Sequence, residues 1–96
     1  MDRITPEVLD RYFDLTSRAL EKAKIVAPID SHLREVAEDF YNMAKSYFED
    51  ARYFREKGDF VRALGAVYYA HAWLDAGARL GLFDVEGDHE LFTLAR

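Results

Sequence analysis

The chain has no cysteine, which removes disulfide bridges, thiolate nucleophiles and cysteine-bound zinc from consideration. Two prolines and five glycines in 96 residues are too few for an all-β chain, which needs a turn every 8–12 residues or so. No window reaches the roughly 18 uninterrupted apolar residues that cross a bilayer. The opening MDRITPEV has no cationic segment leading into an apolar run, so neither a membrane partner nor a secretory signal is expected, and a cytoplasmic protein is. Positive charge is scarce as well. Thirteen Lys and Arg stand against eighteen Asp and Glu, for a formal net charge of −5. Much of the excess sits in the tail, where Asp84, Glu86, Asp88 and Glu90 face Arg96 alone. A basic stripe that could neutralise phosphates is missing, so no nucleic-acid partner is expected.

What the chain does have is apolar content, 50% of its residues, enough for one modest core in a single domain. Thr5 is placed to cap a helix, Pro6 suits its first position, and Glu7 sits in the positive first turn. Ile4 and Leu9 are spaced as a hydrophobic staple. Val8, Tyr12, Leu15, Ala19 and Ala23 then recur at helical spacing beside Leu9, Phe13, Thr16 and Leu20, predicting a helix over about 6–25. Pro28 disfavours helical geometry at Ala27, and Asp30 or Ser31 can cap a second helix over about 31–57. Its stripe of Leu33, Ala37, Phe40, Ala44, Tyr47, Ala51 and Phe54, widened by Val36, Met43, Tyr41 and Phe48, covers roughly 160° and suits two neighbours. Lys57 and Gly58 end that helix, and Asp59 caps the next at once, so helices two and three must be antiparallel.

The third helix, over about 60–80, is the unusual one. Phe60, Ala63, Leu64, Val67, Ala70, Leu74 and Ala78 form its core arc. The opposite side carries Gly65, Tyr69, Ala72 and Ala76, with Trp73 alongside, and its only charges are Arg62 and Arg79 at the edges. A helix that is apolar or small all round is covered all round. The cover is either the tail over 82–96, with Leu82, Phe83, Val85, Leu91, Phe92 and Leu94, or a second chain. The tail itself is expected to be irregular, with one short helical turn after Asp88. The fold class is therefore all-α: a three-helix up-and-down bundle with a long central helix hairpin and an irregular C-terminal tail packing back on it.

The hairpin looks like one tetratricopeptide-type unit, with Tyr47, Ala51 and Phe54 before Gly58 and Phe60, Ala63, Val67 and Ala70 after it. Asp50 stands where that repeat prefers leucine and Asp75 where it prefers proline. No second copy exists, which excludes a repeat array. A closer resemblance rests on DA-x-x-F-x-x-x-G-D (Asp50 to Asp59) followed by A-x-x-x-x-x-Y-A-x-x-W-L-D-A-G-x-R-L-G (Ala63 to Gly81). This run resembles a small archaeal family catalogued as domain of unknown function 357. The resemblance implies a compact three-helix bundle and carries no catalytic or ligand residues with it.

Four residues form a candidate polar site. His71 and Asp75 lie four apart on helix three, where a carboxylate could orient an imidazole for proton transfer. No nucleophile or second ligand joins them, which favours a structural pair or a hydrogen bond into Tyr41 or Tyr68. Asp50 should face helix three near Ala66 and Tyr69, accepting from the Tyr69 hydroxyl or pairing with Arg62. Glu86, Asp88, His89 and Glu90 could be read as metal ligands, but acidic tails are usually solvated; no metal and no cofactor are expected. The ribonuclease motif of helical HEPN bundles, Arg and His with four to six residues between them, is absent, since Arg62 and His71 are nine apart. The expectation is a non-catalytic protein-interaction or assembly module. Its candidate surface is Gly65, Tyr69, Ala72, Trp73 and Ala76, with Tyr53 exposed on helix two, and its partner is another protein or a second copy in a homodimer. The alternative is a small enzyme or nucleotide-binding helical domain centred on His71 and Asp75.

Overall fold

In the computed structural model, which describes residues 4–26, 28, 30–88 and 90–92, helix α1 spans Pro6–Lys22. It starts where the cap is, with the Thr5 hydroxyl accepting from the Val8 N–H at 3.2 Å. Helix α2 spans His32–Glu56. Ser31 caps it by accepting from the Arg34 N–H at 3.0 Å, while its own hydroxyl donates to the Pro28 carbonyl at 2.6 Å. Helix α3 spans Phe60–Arg79, and the Asp59 carboxylate accepts from the Arg62 N–H at 3.2 Å.

The connection between α2 and α3 is as short as Gly58-Asp59 requires. Gly58 takes a left-handed φ of 79°, a conformation cheap only for glycine. The Asp59 N–H then reaches back to the Phe54 carbonyl at 2.9 Å and the Gly58 N–H to the Arg55 carbonyl at 3.0 Å. Those two bonds are the paired closure of a Schellman motif. Gly81 ends α3 the same way, with Leu82 N–H on the Gly77 carbonyl and Gly81 N–H on the Ala78 carbonyl.

Side-chain contacts set the up-down-up order. Arg55 of α2 pairs with Asp10 of α1, and the Tyr41 hydroxyl donates to the Leu20 carbonyl at 2.8 Å, so α1 and α2 run antiparallel. The Tyr47–Tyr69 and Phe40–Trp73 rings meet edge to face with centroids 4.5 and 5.0 Å apart, which locks α2 against α3. Small residues let the backbones approach: Ala19, Ala37, Ala44, Ala51, Ala63 and Ala70 are all fully buried. Leu9, Val67 and Leu74 supply the bulk between them.

Two expectations are corrected here. Helix α1 stops at Lys22, short of residue 25. Lys24–Ile25 instead form a short strand, β1, antiparallel to Phe83–Asp84, β2, and the Val26 N–H donates to the Leu82 carbonyl at 3.1 Å. Ile25 and Val26 are β-branched and precede Pro28, so extension suits them, and the tail supplies the backbone partners that a helix would otherwise have given. Leu33, assigned above to the α2 stripe, is 56% exposed, because α2 outruns its neighbours at that end.

The tail is less irregular than composition suggests. Leu82, Phe83, Val85, Leu91 and Phe92 are buried against Ala19, Ala23, Ala37, Ala44 and Leu74, each contributing about 1.5–3 kcal/mol. Asp88 caps one turn, accepting from the N–H groups of Glu90 and Leu91 at 3.0 Å. Gly77 makes room for this packing. A Cβ there would lie within 3.0 Å of three atoms of the Phe83 ring. The described tail residues thus fold back into the core, and among the described residues none lines the grooves beside Tyr69. Leu94, named above for that cover, lies outside the described residues.

Candidate functional site

Helix α3 has two flanks, and the four residues of the candidate polar site are divided between them. His71 and Asp75 face α1. Asp50 and Tyr69 lie on the other side, at the seam with α2.

On the α1 flank, His71 is held at both ring nitrogens. Nε2 lies 2.6 Å from the Leu91 carbonyl, which can only accept, so this nitrogen carries the hydrogen. In the neutral ring Nδ1 is then the acceptor, and the Thr16 hydroxyl is 3.0 Å away. Thr16 is 2% exposed, so its hydroxyl depends on that bond. Asp75 Oδ1 stands 3.7 Å from Nε2, beyond hydrogen-bond range, and the Phe92 ring lies beside the imidazole at 6.3 Å. Tyr12 and Tyr68 meet edge to face at 4.8 Å, and hydrogen bonding with Tyr12, aided by burial, raises the Tyr68 phenol above its usual value. Tyr12, Tyr68, His71 and Asp75 line one cavity of about 330 Å³ with Leu91 and Phe92, and Ala72 stands at its edge. The Thr16–His71–Leu91 chain is a tie between α1, α3 and the tail. It uses both nitrogens that general acid–base chemistry would need free.

The tail is fastened a second time nearby. Lys22 Nζ lies 3.2 Å from Glu86 and 3.4 Å from Asp88. The Glu86 bond is the main reason that the Lys22 ammonium is held above its usual range. Asp88 is held below the usual carboxylate range, chiefly by the Leu91 N–H and then by Glu90 and Lys22. Two of the acids considered as metal ligands are thus engaged with a cation of the chain. His89 lies outside the described residues.

Among the described residues the α2 flank is open. Tyr47, Asp50, Phe54, Arg62, Gly65, Ala66 and Tyr69 line a shallow groove of about 310 Å³, and Tyr69, Ala72, Trp73 and Ala76 line a second of about 230 Å³. Tyr69 belongs to both, so the two adjoin as an apolar trough along α3. Tyr69 is 48% exposed. The Trp73 indole N–H is buried and meets no acceptor among the described residues. Asp50 is beside Tyr69 and Arg62 as expected from the hairpin register, but Arg62 turns to Asp59 at 3.5 Å, and its guanidinium also lies 5.9 Å from the Phe54 ring centre. Neither bond proposed for Asp50 forms. Tyr53, 58% exposed, stands apart from this trough beneath Lys57, whose ammonium lies 5.5 Å from its ring centre.

One family matches the chain, over residues 11–83, and its description is Protein of unknown function (DUF357). The chain belongs to the DUF357 family. Comparison with curated proteins and with solved structures gives no match. The DUF357 region takes in all of α2 and α3 and residues 11–22 of α1, and with them the helix residues of both flanks but not the tail groups from Glu86 to Phe92. Among its described residues no helix is long and apolar enough to cross a membrane. Two contributors to this DUF357 site escaped the sequence. Thr16 reads as a flank residue of α1, and Leu91 contributes only a backbone carbonyl, which no side-chain pattern marks.

Proposed function

We propose that this DUF357 chain is a small non-catalytic interaction module, and that it binds another polypeptide through the open α2 flank of α3. The observation that carries the reading is the pair of adjoining apolar grooves that meet at Tyr69, flanked by exposed Ala72 and Gly65 and lined by Trp73 and Ala76. Contact surfaces that bind well place an aromatic anchor beside small residues that let a partner approach. Of the tail, Leu82, Phe83, Val85, Leu91 and Phe92 are engaged elsewhere in the core. The alternative, an enzyme centred on His71 and Asp75, has in its favour that both line one cavity with Tyr12 and Tyr68. Against it, both His71 nitrogens are already bonded.

A photo-crosslinking amino acid placed at position 72 tests the reading against the same group at position 52, on the exposed outer side of α2. Irradiation in living cells should give a discrete adduct from position 72 and none from position 52. Equal labelling from both, or none from either, would sink it.

A further inference from the structure

The outer edge of α3 repeats with a period of its own. Arg62, Gly65, Tyr69, Ala72, Ala76 and Arg79 step by three and four residues in alternation, the 3.5-residue period of helices that pack side by side with a left-handed crossing. The order of sizes is also close to a palindrome. Turned end for end about a point between Tyr69 and Ala72, the helix places Tyr69 opposite Ala72, Gly65 opposite Ala76 and Arg62 opposite Arg79. Bulk then meets a small residue at both central positions.

We infer that the occupant of the trough is a second copy of this chain, its α3 antiparallel to the first across a two-fold axis between Tyr69 and Ala72. This names the partner for the surface proposed above and rests on that reading. The charges supply the second argument. Turning α3 end for end brings Arg79 of the second copy to the level of Arg62, which lines the same groove as Asp50. Two guanidinium groups at one level would repel, but the Asp50 carboxylate lines the trough at that place. Among the described residues neither Asp50 nor Arg79 has an ion pair. Arg62 is already paired with Asp59, so Asp50 is the carboxylate left for the incoming arginine. The two-fold repeats the pairing, giving one such contact at each end of the interface.

Light scattering coupled to size exclusion tests this on the full chain. The wild type should run at twice the 11.1 kDa chain mass. Asp50→Lys and Arg79→Glu should each weaken association on the order of tenfold or more, and the double exchange Asp50→Lys with Arg79→Glu should restore it, as a like-charge clash is relieved. All three positions to be altered, Asp50, Arg79 and Ala72, are exposed, and circular dichroism should show unchanged helix content. A wild type that stays monomeric up to about 1 mM, a dimer indifferent to Ala72→Glu, or single variants that the double exchange fails to rescue would overturn the inference. The crosslink separates this failure from that of the broader reading. A monomeric wild type whose position-72 adduct has a mass other than twice the chain leaves the interaction surface standing without the dimer, whereas absence of any adduct removes both.

Discussion

The two flanks of α3 share one helix and each carries a half-exposed tyrosine, Tyr68 toward α1 and Tyr69 toward α2, yet their polar groups end in opposite states. On the α1 side every polar group that matters is spoken for: Thr16 and the Leu91 carbonyl hold His71, and Lys22 holds Glu86 and Asp88. On the α2 side Tyr69 stands half exposed over a trough whose carboxylate, Asp50, has no ion pair among the described residues. The polar residues, which look more like chemistry in a sequence, turn out to be fasteners. The plain residues, Gly65, Ala72 and Ala76, are the ones left facing outward. A polar group with its bonds complete is a statement about folding, whereas an apolar surface without cover is a statement about something still to arrive.

That contrast can be broken most forcefully at its base. Gly77→Val should lower stability by about 3 kcal/mol, because the added side chain would overlap the buried Phe83 ring and overpacking costs of that order. The drop would be read as an earlier urea midpoint, and an unmoved midpoint would mean that the tail does not dock where described. Next in size, His71→Leu should cost about 2 kcal/mol by leaving the Leu91 carbonyl and the Thr16 hydroxyl without partners. Ala72→Glu, at the exposed edge where the two flanks meet, should move the stability of the monomer by no more than about 0.5 kcal/mol. Similar losses from both would erase the distinction between closed and open flanks.

The smallest effect lies in the pH dependence of the strap. Asp88 is held below its ordinary 3.8, so its contribution is complete above that value and is lost as pH falls through the lower folded value. Lys22 is held above its ordinary 10.5, so its contribution is complete below that value and disappears as pH rises through the higher folded one. Lys22→Met should therefore flatten the alkaline limb of a melting-temperature profile. It should leave most of the acid limb, since the Leu91 N–H and not Lys22 is the larger cause at Asp88. An alkaline limb unchanged by the substitution would show that the Lys22 pairs contribute nothing.

What could be read without coordinates was whatever is encoded locally. Thr5-Pro6 and Gly58-Asp59 announced their helix ends, because caps and left-handed glycines act within four or five residues of themselves. The antiparallel hairpin and its register, with Asp50 beside Ala66 and Tyr69, followed from that turn. Pairings between distant segments left no such trace. Ile25 meets Phe83, and Thr16 meets His71 across 55 residues; nothing in either neighbourhood names the other. Gly77 was equally silent, since a glycine inside a helix becomes meaningful only when the ring that fills its place is known. At the site, the sequence identified both halves of the candidate polar set but not that α3 stands between them.

The short pairing of Lys24–Ile25 with Phe83–Asp84 also sets an order in time. The hairpin of α2 and α3 closes through neighbours in the chain, and such contacts form early because little loop must be closed to make them. The strand pair must wait until residue 84 has left the ribosome, and the His71 tie until residue 91 has. A nascent chain therefore holds α1 without the backbone bonds that finally fix the segment behind it, and Leu82 to Leu91 supply the groups that fasten α1 and that segment.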